Sequence, residues 1–185
     1  LRLDLPTTDG TLSLELERAD PFTDDFSVVV ASTGEAFAYD QGVHYRGVVA
    51  GDPNSLVSIS IFKDEVMGFI SQSDGDLTIG RLDGDMEGTH ILYRTSDMHE
   101  SPTNVCGTAD DGHGYTAEDL TPTGDNRTVK CVRLYWEVNY DIFQGKGSVT
   151  AATNYVTGLF NQSSTLYNND GISVTLSQVY VWDVA

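Results

Sequence analysis

Basic residues are scarce in this sequence. It carries 10 Lys and Arg against 28 Asp and Glu, which gives a formal net charge of −18 at pH 7. Nucleic-acid binding depends on Lys and Arg side chains that displace counterions from the phosphates, and an anionic membrane surface repels an acidic chain. The composition therefore argues against nucleic acid as a partner and indicates a heavily solvated acidic surface.

Cysteines and long apolar runs are also lacking. No stretch approaches the ~18 apolar residues of a membrane span, so we expect no transmembrane segment. The two cysteines, Cys106 and Cys131, are too few for a disulfide framework. They permit one bridge, or one or two thiols with a special role.

Short alternating runs of apolar residues dominate residues 1–95. Residues 55–62 and 66–70 are examples, joined by a connection of hairpin length. Such alternation is typical of half-buried strands. The pairs Asp74-Gly75 and Asp83-Gly84 favour tight turns. We therefore predict an antiparallel sandwich or a rolled sheet for this half.

The rest of the chain divides into a polar segment and a strand–helix–strand pattern. Residues 96–127 are rich in Asp, Gly, Thr, Ser and Pro, which predicts a linker. Residues 129–138 and 172–182 have strand character, and residues 148–167 carry apolar positions at the three-and-four spacing of a helix. This order predicts a parallel β-α-β unit. Because such a unit cannot bury both of its faces alone, we expect it to continue beyond Ala185.

The first half contains motifs that resemble a known family. Residues 44–60 include Tyr45-Arg46-Gly47, the turn Gly51-Asp52-Pro53 and a Ser-rich strand. This stretch resembles the propeptide of adamalysin-type (reprolysin) zinc proteases. Residues 66–70 and 89–93 resemble the two strands that follow it in that family.

The second half resembles the start of the catalytic domain of the same family. Residues 132–143 are similar to its first strand, residues 154–167 to its first helix and residues 172–182 to its second strand. No single motif is diagnostic, and the resemblance depends on their order and spacing.

The resemblance implies a mixed α+β fold in three parts. Residues 1–95 would form an antiparallel β-rich propeptide domain, and residues 96–127 a linker. Residues 128–185 would form the first β-α-β unit of a metzincin-like α/β catalytic domain, incomplete in this chain. We expect the two halves to fold separately.

The resemblance also implies a function for the parent protein. It would be a secreted zinc metalloendopeptidase that hydrolyses peptide bonds in protein substrates. The propeptide would help to fold its own catalytic domain and inhibit it, so that domain is the expected intramolecular partner.

The zinc-binding motif of the family is missing. The motif His-Glu-x-x-His-x-x-Gly-x-x-His does not occur. His99 and Glu100 begin like it, but Thr103 stands where the second His is required and Pro102 would break the helix. Arg133 occupies the position of a calcium-ligand Glu in eukaryotic members. We therefore expect no catalytic residue in this chain, which would itself be inactive, and place the Zn²⁺ site of the parent beyond residue 185.

One cysteine has a candidate role in latency. Cys106, followed by Gly107, resembles the cysteine-switch segment of the family's propeptides, in which a thiolate fills the open position on the catalytic zinc. The alternatives are a disulfide between Cys106 and Cys131, which could stabilise by ~3 kcal/mol, and two thiols without a role.

A second interpretation, from another class of protein, stays open. The chain could be a non-catalytic secreted β-rich binding or adhesion module. The sequence that follows Ala185 discriminates between the two, because only a protease requires a zinc motif downstream.

Overall fold

The computed structural model describes residues 1–8, 10–98, 112, 114, 116 and 131–185. In chain order its elements are β1 (Arg2–Thr7), β2 (Gly10–Ala19), β3 (Phe22–Val30), β4 (Ala36–Phe37), β5 (Val43–Val49), β6 (Asp52–Ile61), β7 (Val66–Gln72), β8 (Gly75–Arg81), β9 (His90–Arg94), a 3₁₀ turn (Thr95–Asp97), β10 (Cys131–Val138), α1 (Tyr140–Lys146), α2 (Val149–Asn169) and β11 (Ser173–Val181).

The first sheet is antiparallel throughout and curls into a nearly closed barrel. Its seven strands follow the order β1-β2-β5-β6-β7-β8-β9. Alternate residues of each strand point inward, as the period of two requires. Its core consists of Leu5, Leu14, Leu16, Val49, Val57, Ile59, Ile70 and Ile79.

One close strand approach in this sheet requires glycine. Gly47 of β5 lies so near β2 that a Cβ would collide with the carbonyl oxygen of Glu15. Because backbone cannot move aside as a side chain can, no larger residue fits at position 47 without separating the two strands.

The second sheet has four strands in the order β10-β11-β3-β4. Strands β10, β11 and β3 are parallel to one another, and β4 is antiparallel to β3. Helix α2 packs on one face. The shared core is formed by Phe22, Val28, Val138, Ala152, Val156, Phe160, Val174, Leu176, Val179 and Val181.

Helix α2 begins and ends close to where the sequence indicates. Ser148 is its N-cap, and the Ser148 hydroxyl accepts a hydrogen bond of 3.1 Å from the backbone N–H of Ala151. Gly171, with φ of +74°, follows its end. Neither helix in the described residues is long and apolar enough to span a membrane.

The predicted fold class is wrong. Of the described residues, 52% lie in strands and 20% in helices, and most strand pairs are antiparallel, so residues 128–185 are not the start of a metzincin-like α/β unit. The parallel pair β10–β11 with α2 between them is present, but β3, from the first half, extends its sheet. The alternating pattern of β3 buries Phe22, Val28 and Val30 on one face. This pattern does not specify which of the two sheets β3 joins.

The pairing of β3 with β11 bears on how the two halves fold. Two backbone hydrogen bonds add to those that pair β3 with β11. The N–H of Leu176 donates to the carbonyl oxygen of Pro21 at 2.8 Å, and the N–H of Ala31 donates to the carbonyl oxygen of Val181 at 2.9 Å. These contacts argue against independent folding of the two halves. The boundaries at residues 95 and 128 stay a prediction.

Candidate functional site

Helix α2 lies between the two sheets and presents a different face to each. Its apolar residues, among them Val156 and Phe160, pack in the core of the second sheet. The opposite face lies against β5, β6 and β7 of the first sheet. Gly158 permits this approach, because a Cβ there would collide with the side chain of Met67. The junction between α2 and the first sheet is the main polar cluster in the described interior.

The face turned to the first sheet is a stripe of buried polar residues. Thr153, Thr157, Asn161 and Thr165 recur every fourth position and are all buried. The hydroxyl of Thr157 donates to the carbonyl of Thr153, and that of Thr165 to the carbonyl of Asn161, both at 2.8 Å. The hydroxyls of Thr157 and Thr165 are thereby satisfied by their own helix, whereas the Oγ1 atom of Thr153 is buried without a partner among the described residues.

Asn161 joins the helix to the sheet. Its amide nitrogen lies 2.9 Å from the Ser58 hydroxyl, 3.2 Å from the Ser60 hydroxyl, and 3.2 and 3.3 Å from the carbonyl oxygens of Ile59 and Tyr45. These acceptors fix the NH₂ group on the sheet side. The Oδ1 atom is buried without a partner among the described residues.

The same contacts bear on a glycosylation sequon. Asn161-Gln162-Ser163 has the acceptor pattern, but the Asn161 side chain is fully buried. In this fold the amide nitrogen is inaccessible to a modifying enzyme.

His44 and Ser60 extend the cluster on the sheet side. The Nε2 atom of His44 lies 2.9 Å from the carbonyl of Gln41, which only accepts, so Nε2 carries the proton. Nδ1 then accepts from the Ser60 hydroxyl at 2.9 Å. Burial lowers the pKa of His44 to about 4, against smaller raising effects of the Gln41 carbonyl and of Asp20, while Arg18 lowers it further.

The hydrogen-bonded pair of His44 and Ser60 has the atoms of a nucleophile and its base. Both side chains are almost fully buried, and His44 is enclosed by the rings of Phe22 and Phe62 at 5.1 and 5.7 Å. No substrate reaches the Ser60 hydroxyl in this arrangement. The pair therefore stabilises the junction and does no chemistry.

Further polar contacts join the two halves at the surface. Arg133 donates to both oxygens of Asp25 at 3.0 and 2.9 Å. Ser32 donates to Asp183 through its N–H at 2.8 Å and its hydroxyl at 2.5 Å. The hydroxyl hydrogen bond of Ser32 is the main reason that the pKa of Asp183 lies below its usual value. Exposed pairs of this kind add little stability individually.

The two predicted site cysteines are only partly covered by the structure. Cys131 is exposed at the start of β10, and its sulfur lies 3.9 Å from the hydroxyl of Thr175. Cys106 lies outside the described residues, as do His99 and Glu100. Both the cysteine switch at Cys106 and the disulfide between Cys106 and Cys131 stay predictions.

The described histidines have structural partners. His90 accepts from the N–H of Val66 at 2.9 Å and donates to the carbonyl of Gly88 at 2.8 Å. The rings of His44 and His90 therefore both have hydrogen-bond partners within the fold, and His113 lies outside the described residues. Within residues 1–8, 10–98 and 131–185 no group of three His, Cys, Asp or Glu side chains is placed to hold a metal ion.

A cleft of about 790 Å³ lies where the first sheet fails to close. Its apolar part is formed by Leu12, Leu77 and Leu92, and its polar part includes Gln72 and Arg94. The Oε1 atom of Gln72 is buried without a partner among the described residues. The volume and the mixed lining fall in the range of small-molecule sites, which occur at the mouths of β-barrels.

A comparison with models of known protein families finds no match, and a comparison with curated proteins finds none either. The similarity to adamalysin-type proteases therefore depends on the sequence motifs alone.

Sequence reasoning missed the polar face of α2. The apolar spacing predicts a single buried face that includes Leu159 and Leu166, but Leu166 is 49% exposed. The signal for the second face was the recurrence of Thr and Asn at every fourth position from Thr153 to Thr165. A polar stripe is usually solvated, and only the sheet packed against it makes it an interface.

Proposed function

We propose that this chain is the N-terminal portion of a secreted zinc metalloendopeptidase. Residues 1–95 act as a propeptide that helps to fold and inhibits its own catalytic domain. Proteins are the substrates of the parent. The zinc motif lies outside this chain, which by itself hydrolyses nothing.

The attachment of β3 to β11 is the observation that best supports this proposal. A propeptide that assists folding must offer structure to the segment it assists. Here the first half supplies a parallel neighbour for β11 and acceptors for Asn161 of α2. The parallel pair β10–β11 and its helix are thereby covered on sides that they could not bury alone.

Cys106 is the proposed zinc ligand of the latent parent. A thiolate binds zinc at about 2.3 Å and excludes the water that hydrolysis needs. The alternative, a disulfide between Cys106 and Cys131, would tether the propeptide to the catalytic domain after cleavage. The two roles are mutually exclusive for Cys106.

The full-length parent protein provides the test. Residues 1–185 alone should hold no stoichiometric zinc and should not turn over casein, whereas the full-length protein should bind one zinc per chain and become active after processing.

Cys106→Ala should raise activity before processing, and Cys131→Ala should leave latency intact. Under the disulfide alternative both changes should destabilise the precursor and neither should activate it. A full-length product without zinc or peptidase activity would refute the proposal.

The cleft at the open end of the first sheet favours a second candidate function. A non-catalytic secreted binding or adhesion module would use such a cleft, lined by Leu12, Leu77, Leu92 and Arg94, to hold a ligand. This candidate requires no zinc motif after Ala185, so the same full-length analysis separates the two.

A further inference from the structure

The outer face of the second sheet carries exposed aromatic side chains. Side chains alternate along β10 and β11, and Trp136, Val138, Val179 and Val181 point into the core shared with α2. The residues that alternate with these four, among them Tyr135, Glu137 and Tyr180, point to the opposite face of the sheet. Tyr135 is 47% exposed and Trp182, directly after β11, is 41% exposed. Sheets with parallel strands are normally covered on both faces, and in the described residues this face carries exposed aromatic side chains.

Three aromatic rings surround one carboxylate on this face. Glu137 pairs with Tyr180 across the ladder, and Tyr135 lies two positions before Glu137 on the same face. The indole Nε1 of Trp182 donates to Oε2 of Glu137 at 2.8 Å. The rings of Tyr180 and Trp182 meet edge to face, with centroids 5.2 Å apart.

The hydrogen bond between Trp182 and Glu137 leaves both groups available to a ligand. The indole N–H lies at the edge of its ring, so the face of the ring stays free. Glu137 is exposed, and its carboxylate is also a hydrogen-bond partner of the Tyr135 side chain. Aromatic faces next to a carboxylate attract ammonium groups, because the negative face of the ring and the negative charge of the carboxylate both attract a cation.

We propose that Tyr135, Glu137, Tyr180 and Trp182 form a binding site for an alkylammonium group, such as the lysine side chain of a basic partner segment. Charge decides between a basic partner and a second copy of this chain. Two copies that each carry −18 repel each other. Arg133, the cation on the same strand, is engaged by Asp25 and does not neutralise Glu137.

The chain itself contains the same type of contact elsewhere. The ammonium of Lys146 lies 4.4 Å from the ring centroid of Tyr155. An intramolecular cation occupies that ring, whereas no basic side chain is recorded over Tyr135, Tyr180 or Trp182 in the described part of the chain.

Binding can be measured with choline and its neutral isostere 3,3-dimethyl-1-butanol on the 185-residue chain at low ionic strength. The two tryptophans give separate indole N–H signals in nuclear magnetic resonance, and Trp136 in the core is an internal control. Choline should shift the Trp182 signal saturably, with a Kd of roughly 30–200 mM, which corresponds to one cation–π contact at an exposed ring aided by one exposed carboxylate. The neutral isostere should not.

Variants separate this site from a general attraction of cations to an acidic protein. Glu137→Gln should weaken choline binding about fivefold, because the rings then act without the carboxylate. Glu35→Gln removes the same charge at another exposed position and should leave the Kd unchanged. Equal shifts with choline and its isostere, or equal effects of Glu137→Gln and Glu35→Gln, would overturn the proposal.

Discussion

Asn161→Asp should lower the free energy of unfolding by about 4 kcal/mol at pH 7, because it breaks a buried polar cluster without changing its shape. The substitution replaces an NH₂ group by an oxygen that faces the carbonyls of Ile59 and Tyr45 and the hydroxyls of Ser58 and Ser60. The two carbonyls cannot become donors. The new carboxylate is either charged and buried or protonated at the expense of a raised pKa.

Urea unfolding followed by tryptophan fluorescence measures this loss. Asn168→Asp is the matched control, because it makes the same change on the same helix at an exposed position. It should cost less than about 1 kcal/mol, the usual effect of a negative charge near a helix C-terminus. A loss at position 161 as small as the loss at position 168 would mean that α2 is not seated on the first sheet.

Acid should destabilise the protein through His44. Because burial lowers its pKa in the folded state from 6.5 to about 4, the unfolded chain binds more protons between these values. Stability from this group is therefore complete above pH 6.5 and decreases as the pH falls toward 4. The full loss amounts to about 2–3 kcal/mol.

The contribution of His44 is isolated by comparing variants over the same pH range. His44→Gln removes the titrating ring, so the difference in unfolding free energy between wild type and variant should shrink as the pH falls from 6.5 to 4. A constant difference between wild type and His44→Gln across this range would show that His44 is not buried in a neutral form.

The local elements were readable from the sequence, whereas their assembly was not. Alternation predicted the strands at residues 55–62 and 66–70, and the three-and-four spacing of apolar residues predicted α2. Both signals depend on neighbours within a few residues. Helix α1 was missed, because residues 140–143 were assigned to the preceding strand by resemblance.

Which sheet β3 joins depends on contacts far apart in sequence. The buried side of β3 is equally apolar whether it lies in the first sheet or beside β11, so no local pattern distinguishes the two arrangements. The same holds for Asn161, whose polar group is buried only because Ser58 and Ser60 of β6 lie opposite it. The candidate cysteine site depended on a family motif, and Cys106 lies outside the described residues.

Cleavage of the connection between the halves tests most directly whether residues 1–98 and 131–185 form one unit. A protease site introduced between residues 99 and 130 allows the folded chain to be cut, and size-exclusion chromatography with urea unfolding then follows the pieces. We expect the two pieces to co-elute and to unfold in a single transition, because β3 lies in the sheet of β10 and β11 and Asn161 is bonded to β6. Separation of the pieces under native conditions, or two independent transitions, would contradict this arrangement.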